Sequence, residues 1–138
     1  MSFWIGIVGF IIILNLIVLV HESGHFLMAR RYGMKVDEFF VGFGPRIWSF
    51  RRGETEYGIK WILLGGYVKI AGMGLDEQVA AEDEDRTYAS KPARQRAFTI
   101  LAGPLSHFVM AFVAAWFFAA FGQQLYVLDT VEDTLNGA

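Results

Sequence analysis

Two histidines and a glutamate stand within five residues of one another in "LNLIVLVHESGHFLMARRYG", residues 14–33. His21, Glu22 and His25 form the pattern H-E-x-x-H. On a helix, positions i and i+4 share a face, so the two imidazoles converge on one point. Two neutral imidazole nitrogens suit Zn2+, and a glutamate beside the first can serve as general base toward the attacking water. The pattern alone occurs by chance in many soluble proteins. Its setting sharpens it, because the three groups follow directly on an apolar run. Ionisable groups inside hydrocarbon are costly and are functional candidates by default. The alternative is a helix end wetted by the interface, since Arg30 lies five residues beyond His25.

The elements that must carry these groups are apolar. Hydrophobic residues make up 54% of the 138-residue chain and the net charge is only −2, so total charge points to no partner and no nucleic acid is expected. With no cysteine, disulfides, thiolate metal sites and thiol nucleophiles are excluded. All 12 Lys and Arg residues fall between Arg30 and Arg96. Residues 3–20, "FWIGIVGFIIILNLIVLV", carry no charge, and Asn15 is their one strongly polar group. Continued to Ala29, that helix would be roughly 40 Å long at ~1.5 Å per residue, enough to cross ~30 Å of hydrocarbon. Residues 97–121, "AFTILAGPLSHFVMAFVAAWFFAAF", form a second run without formal charge. A chain this short has too few polar helices to wrap two such segments, which favours membrane spans over buried core helices. A signal peptide would need a basic n-region and a cleavage site, and neither is present.

Basic residues collect on the cytoplasmic side of a bilayer. Residues 30–96 are therefore expected on that side of the cell (inner) membrane, with the N-terminus extracytoplasmic in a multi-pass topology. The acidic tail "LDTVEDTLNGA" agrees. The expected fold is membrane α-helical, two transmembrane helices joined by a cytoplasmic or membrane-entering β-hairpin region. Its expected parts are transmembrane helix 1 (1–31), a membrane-associated hairpin or sheet (32–73), a polar charged connector (74–96), transmembrane helix 2 (97–122) and an extracytoplasmic tail (123–138) leading to further domains. "EFFVGFGPRIWSF" and "EYGIKWILLGGYVKIAG" are β-branched and aromatic, with "RRGETE" between them as a turn. Residues 74–97 read as a solvated connector turning helical near the second span. Trp4, Trp116 and Tyr126 suit interfacial anchors, Trp48 and Trp61 sit in the hairpin, and Asn15 packs, hydrogen-bonds across helices or contacts substrate.

In these blocks the chain resembles the site-2 protease family of intramembrane zinc metalloproteases, and bacterial enzymes that cleave membrane-anchored anti-sigma factors in regulated intramembrane proteolysis. The resemblance rests on "HESGHF", "VGFGP" (Val41–Pro45), "RRGETEYGIK" (Arg51–Lys60), "LGGYVKIAGM" (Leu64–Met73) and "AGPLSHF" (Ala102–Phe108), in the family's order and covering the chain to about Gly122. It implies Zn2+ held by His21 and His25, Glu22 as catalytic base, and a membrane-anchored protein substrate whose transmembrane segment is cut. It also implies a hairpin that aligns substrate as an added strand, with Gly42, Phe43, Gly44, Gly65 and Gly66 as substrate-binding positions. That role has physical sense. An unwound segment needs hydrogen-bond partners, and an exposed sheet edge supplies them, while glycine lets backbone approach backbone. The alternative is that these glycines only make turns and bulges.

Two departures from the family pattern stand out. Catalytic zinc takes three protein ligands plus water, and the family's third is an aspartate in an Asp-Gly pair on a later span. This chain contains no Asp-Gly pair. It therefore reads as an N-terminal portion, lacking the family's PDZ-type modules and expected to be inactive alone. Second, His107 stands where the family's A-G-P-x-x-N pattern has asparagine. His107 lies eleven residues from Arg96, and His21 and His25 lie nine and five from Arg30; at ~1.5 Å per residue the three are expected at similar levels on neighbouring helices. His107 then either faces the site, as a donor to Glu22 or to a substrate carbonyl or as a surrogate ligand, or simply replaces the asparagine in a hydrogen bond. Pro104 is expected to interrupt helix bonding nearby. Beside the endopeptidase reading stand two others: a catalytically inactive, protease-like membrane protein that binds partners, and a metallopeptidase anchored by its first span with a soluble active site. The motif's position within the span counts against the last.

Overall fold

A computed structural model describes residues 3–74 and 77–122. The acidic tail over 123–138, Tyr126 with it, lies outside the described residues.

Helix α1 is Phe3–Arg31. It is long and apolar enough to cross a bilayer, and apolar side chains such as Phe10, Ile13 and Leu16 are exposed along it. The helix stops at Gly33. With φ +67°, Gly33 takes a left-handed conformation that costs an ordinary residue about 1 kcal/mol or more. Its amide bonds Arg30 O at 3.1 Å and the Met34 amide bonds Ala29 O at 2.9 Å, so two end carbonyls are satisfied. The chain then turns into strand β1, Val36–Arg52, paired with strand β2, Thr55–Ile70. The turn between them is Gly53–Glu54, inside the expected "RRGETE".

This ribbon is not a flat hairpin. Glu38, Phe39, Phe40 and Val41 pair with Lys69, Val68, Tyr67 and Gly66 on one side and stand beside Glu56, Tyr57, Gly58 and Ile59 on the other. Bends at Gly42–Pro45 and around Ile62–Gly65 fold both strands back on themselves. Gly42 makes the first bend possible: its φ is +88°, and a Cβ there would sit 2.8 Å from Lys60 O. The bends leave Phe43, Ile47, Trp48, Trp61, Ile62 and Leu64 exposed.

The buried core lies where α1 ends. Ala29, Met34, Val36 and Ile70 are buried there, with Phe26, Tyr32, Val68 and Tyr88 packed around them. Each fully buried Met or Val contributes about 1.5–3 kcal/mol. The connector is docked on this core rather than running free in solvent. Its 3-10 turn, Ala81–Arg86, buries Asp83, which accepts from Lys35 Nζ at 2.6 Å. Arg86 grips both Glu54 oxygens at 2.9 and 2.8 Å. Backbone bonds from Lys35 N to Arg86 O (2.9 Å) and from Tyr88 N to Ala71 O (2.7 Å) complete the seam. Hydrophilic composition concealed this, because the charges pair with the platform beneath them.

Helix α2, Ala93–Phe117, continues as a π-helical turn, Phe118–Gly122, and is the second stretch long and apolar enough to span. It runs on as one helix through Pro104, whose nitrogen carries no N–H and so leaves one helical bond unmade. Proline ahead of a helix's end removes one bond and does not by itself stop the helix when neighbouring turns hold. Two compact units divide at this helix, one up to His107 and one from Phe108 onward. In the second, Trp116 packs edge-on to Phe117 and Phe117 against Phe121.

Candidate metal centre

The helical spacing of His21 and His25 brings their rings together at a centroid distance of 4.8 Å. Their Nε2 atoms are 3.1 Å apart. His25 Nδ1 lies 2.8 Å from the Thr99 carbonyl oxygen on α2. A carbonyl only accepts, so Nδ1 donates, and in that tautomer Nε2 is the acceptor of its contact with His21 Nε2. In a tetrahedral site with Zn–N bonds of ~2.0–2.1 Å, two ligand nitrogens stand about 3.3 Å apart. The observed pair is already close to that edge.

Small residues make room for the pair. Gly103 on α2 is buried, and a Cβ there would run into His25 Nε2 and come within 2.8 Å of His21 Nε2. Gly24 on α1 lies against the Ala102 carbonyl, with no space for a Cβ. The two helices therefore touch backbone to backbone at the level of the histidines. Two imidazole nitrogens that share one proton and converge on a space that only glycine leaves open fit a zinc ion, which would take the place of that proton. Among the described residues, no set of three His, Asp or Glu side chains is placed to hold a metal.

Glu22 points to the hairpin side, where its carboxyl lies within reach of the Val68 amide in β2. His107 is on α2, its ring 4.9 Å from that of His21, and its Nε2 is buried without a partner. All three histidines are thus brought together, as their depths in sequence implied.

The hairpin glycines are accounted for by the chain's own atoms. Gly65 lies on the Phe43 ring, Gly44 against Ile62, and Gly66 between Phe40 O and Val18 of α1. Phe43 itself is half exposed. Sequence reasoning undervalued Asn15. Its Nδ2 donates to Ile11 O at 2.7 Å and to Leu63 O at 2.9 Å, tying α1 to the hairpin bend instead of bridging to α2. A lone amide in an apolar run was the available signal.

A family profile settles the relationship: peptidase family M50 matches residues 9–136. The chain belongs to peptidase family M50, the site-2 proteases. It is 47% identical over 104 residues to "Zinc metalloprotease Rip1" of Mycobacterium tuberculosis, covering 75% of this chain and 26% of that one. It is 43% identical over 123 residues to "Regulator of sigma E protease" of Haemophilus influenzae, covering 88% of this chain and 28% of the relative. A putative zinc metalloprotease of Thermotoga maritima is 43% identical over 99 residues, covering 72% and 20%. The chain spans about a quarter of the length of these M50 relatives. Two of these three relatives are zinc metalloproteases by name.

Proposed function

We propose that this chain is the N-terminal part of an intramembrane zinc metalloendopeptidase that cuts transmembrane segments of membrane-anchored regulatory proteins such as anti-sigma factors. The observation that carries this reading is the paired Nε2 atoms of His21 and His25, held over Gly103 inside two long apolar helices. A relative whose name joins a protease to a sigma factor, "Regulator of sigma E protease", supports the substrate class.

In this reading α1 and α2 cross the cell membrane, and residues 30–96 lie on the cytoplasmic side with their bases. His21 and His25 hold the zinc through Nε2, and the Thr99 carbonyl keeps His25 in the tautomer that can do so. When bound, zinc supplies Lewis-acid polarisation of the attacking water and the scissile carbonyl. Glu22 takes the proton of that water and passes it to the departing amine. His107 lends its buried Nε2 to the substrate side of the site. The bent ribbon offers an edge to an unwound substrate, with Gly42, Phe43, Gly44, Gly65 and Gly66 at its bends beside the histidine-bearing helix.

The test is cleavage of a membrane-anchored reporter by the full-length gene product, wild type against Glu22→Gln. Cleavage by wild type alone supports the protease. Equal cleavage by both removes Glu22 as base, and silence from both with zinc bound favours the inactive, partner-binding alternative.

A further inference from the structure

Where α1 ends, an open cleft of about 800 Å3 separates the helix from the hairpin turn. Phe26, Leu27 and Arg30 line it from α1, and Phe50, Arg52 and Tyr57 from the ribbon. Its walls are of two kinds. Phe26, Phe50 and Tyr57 supply aromatic surface, with Tyr57 stacked on Phe50 at 5.4 Å and 5.9 Å from Phe26. Arg30 and Arg52 supply the charge, and Arg30 sits 5.8 Å over the Phe26 ring. Among the described residues neither arginine has a carboxylate partner. The one acid in the cleft, Glu54, is engaged by both of its oxygens with Arg86. Exposed Arg31 and Arg51 stand next in sequence and add to the positive field.

We propose that this cleft seats the head group of an anionic phospholipid, its phosphate between Arg30 and Arg52 and an acyl chain along Phe26, Leu27 and Phe50. Uncompensated guanidiniums recognise a phosphate through paired N–H groups. An apolar wall contiguous with them suits a ligand charged at one end and greasy at the other. The site falls at the end of a helix long enough to span, where head groups lie. A soluble anion uses only half of these features, so the lipid is the better fit. The proposal rests on the membrane placement given under Proposed function. Its consequence is that lipid would fasten the hairpin turn to the end of α1, the helix that carries His21 and His25.

The experiment reconstitutes the full chain in nanodiscs of equal phosphatidylglycerol and phosphatidylcholine, then releases it for native mass spectrometry of retained lipid. Each arginine near an anionic surface is worth about fivefold, so the pair predicts roughly 30-fold preference for phosphatidylglycerol. Arg30→Gln with Arg52→Gln should abolish the preference, while Arg94→Gln, outside the cleft, should keep it. Millimolar glycerol phosphate should not displace the lipid. Equal retention of both lipids, a preference that survives the double variant, or full displacement by glycerol phosphate would overturn the proposal. Failure of the chain to enter bilayers of any composition would instead bring down the membrane placement, and this site with it.

Discussion

His25 donates its Nδ1 proton to the Thr99 carbonyl across 2.8 Å, and that bond leaves Nε2 of the same ring as the acceptor beside Nε2 of His21. The donor to the proposed metal position and the backbone that orients it thus come from different helices. Anything that parts α1 from α2 unsets the ring, so in the proposed metal centre the geometry of the crossing would decide affinity.

Gly103→Ala tests this crossing. In an exposed helix interior that change is worth up to ~1 kcal/mol of stability. Here the new Cβ enters the space of the two Nε2 atoms. Zinc affinity, measured by competition with a chromophoric chelator, should fall about 10–100-fold, the usual scale for disturbing a ligand's support. Helicity by circular dichroism should hold.

Replacing His107 separates two roles. A lost hydrogen bond to a substrate carbonyl costs about 1–3 kcal/mol, so His107→Ala should slow peptide cleavage by roughly tenfold or more. Zinc affinity should stay within about threefold. A drop in affinity of a hundredfold would make His107 a ligand. His107→Asn should restore part of the rate.

The docked connector carries stability. Lys35→Ala removes the main partner of buried Asp83, leaving Arg86 at 3.5 Å. Breaking a fully buried pair costs about 3–5 kcal/mol. With Arg86 remaining and Lys35 partly in water, about 1–2 kcal/mol is expected, read from denaturant unfolding in detergent. Proteolysis within residues 77–92 should accelerate with it.

Acid should loosen the ribbon through Glu56. Ser49 donates to its carboxylate at 2.6 Å and Arg46 pairs with it, and together they hold its pKa below the ordinary 4.5. A depressed carboxylate contributes stability above its unfolded pKa and loses it as pH falls through the folded one. The wild type should therefore lose ribbon stability below about pH 4.5, and Glu56→Gln should flatten that limb of a melting-temperature profile.

Much of the site was legible because helical periodicity is local. His21 and His25 are neighbours on any helix, and the shared depth of His107 followed from counting residues back to the nearest bases. The hairpin was legible from β-branched and aromatic runs around "RRGETE". Its folding back was not, since nothing in sequence announces that Phe39 and Phe40 contact both halves of β2. Docking of the connector was hidden by its charges, whose partners Lys35 and Glu54 lie far away in sequence. Continuity of α2 through Pro104 depends on neighbouring turns that a residue-by-residue rule ignores. The space over Gly103 required both helices at once.

X-ray absorption at the zinc edge of the purified full-length protein tests the metal centre most directly. The spectrum should show at least two imidazole nitrogens at ~2.0–2.1 Å, with bound zinc lost from His21→Ala and from His25→Ala. A zinc shell without imidazole, or one unchanged when either histidine is removed, would contradict it.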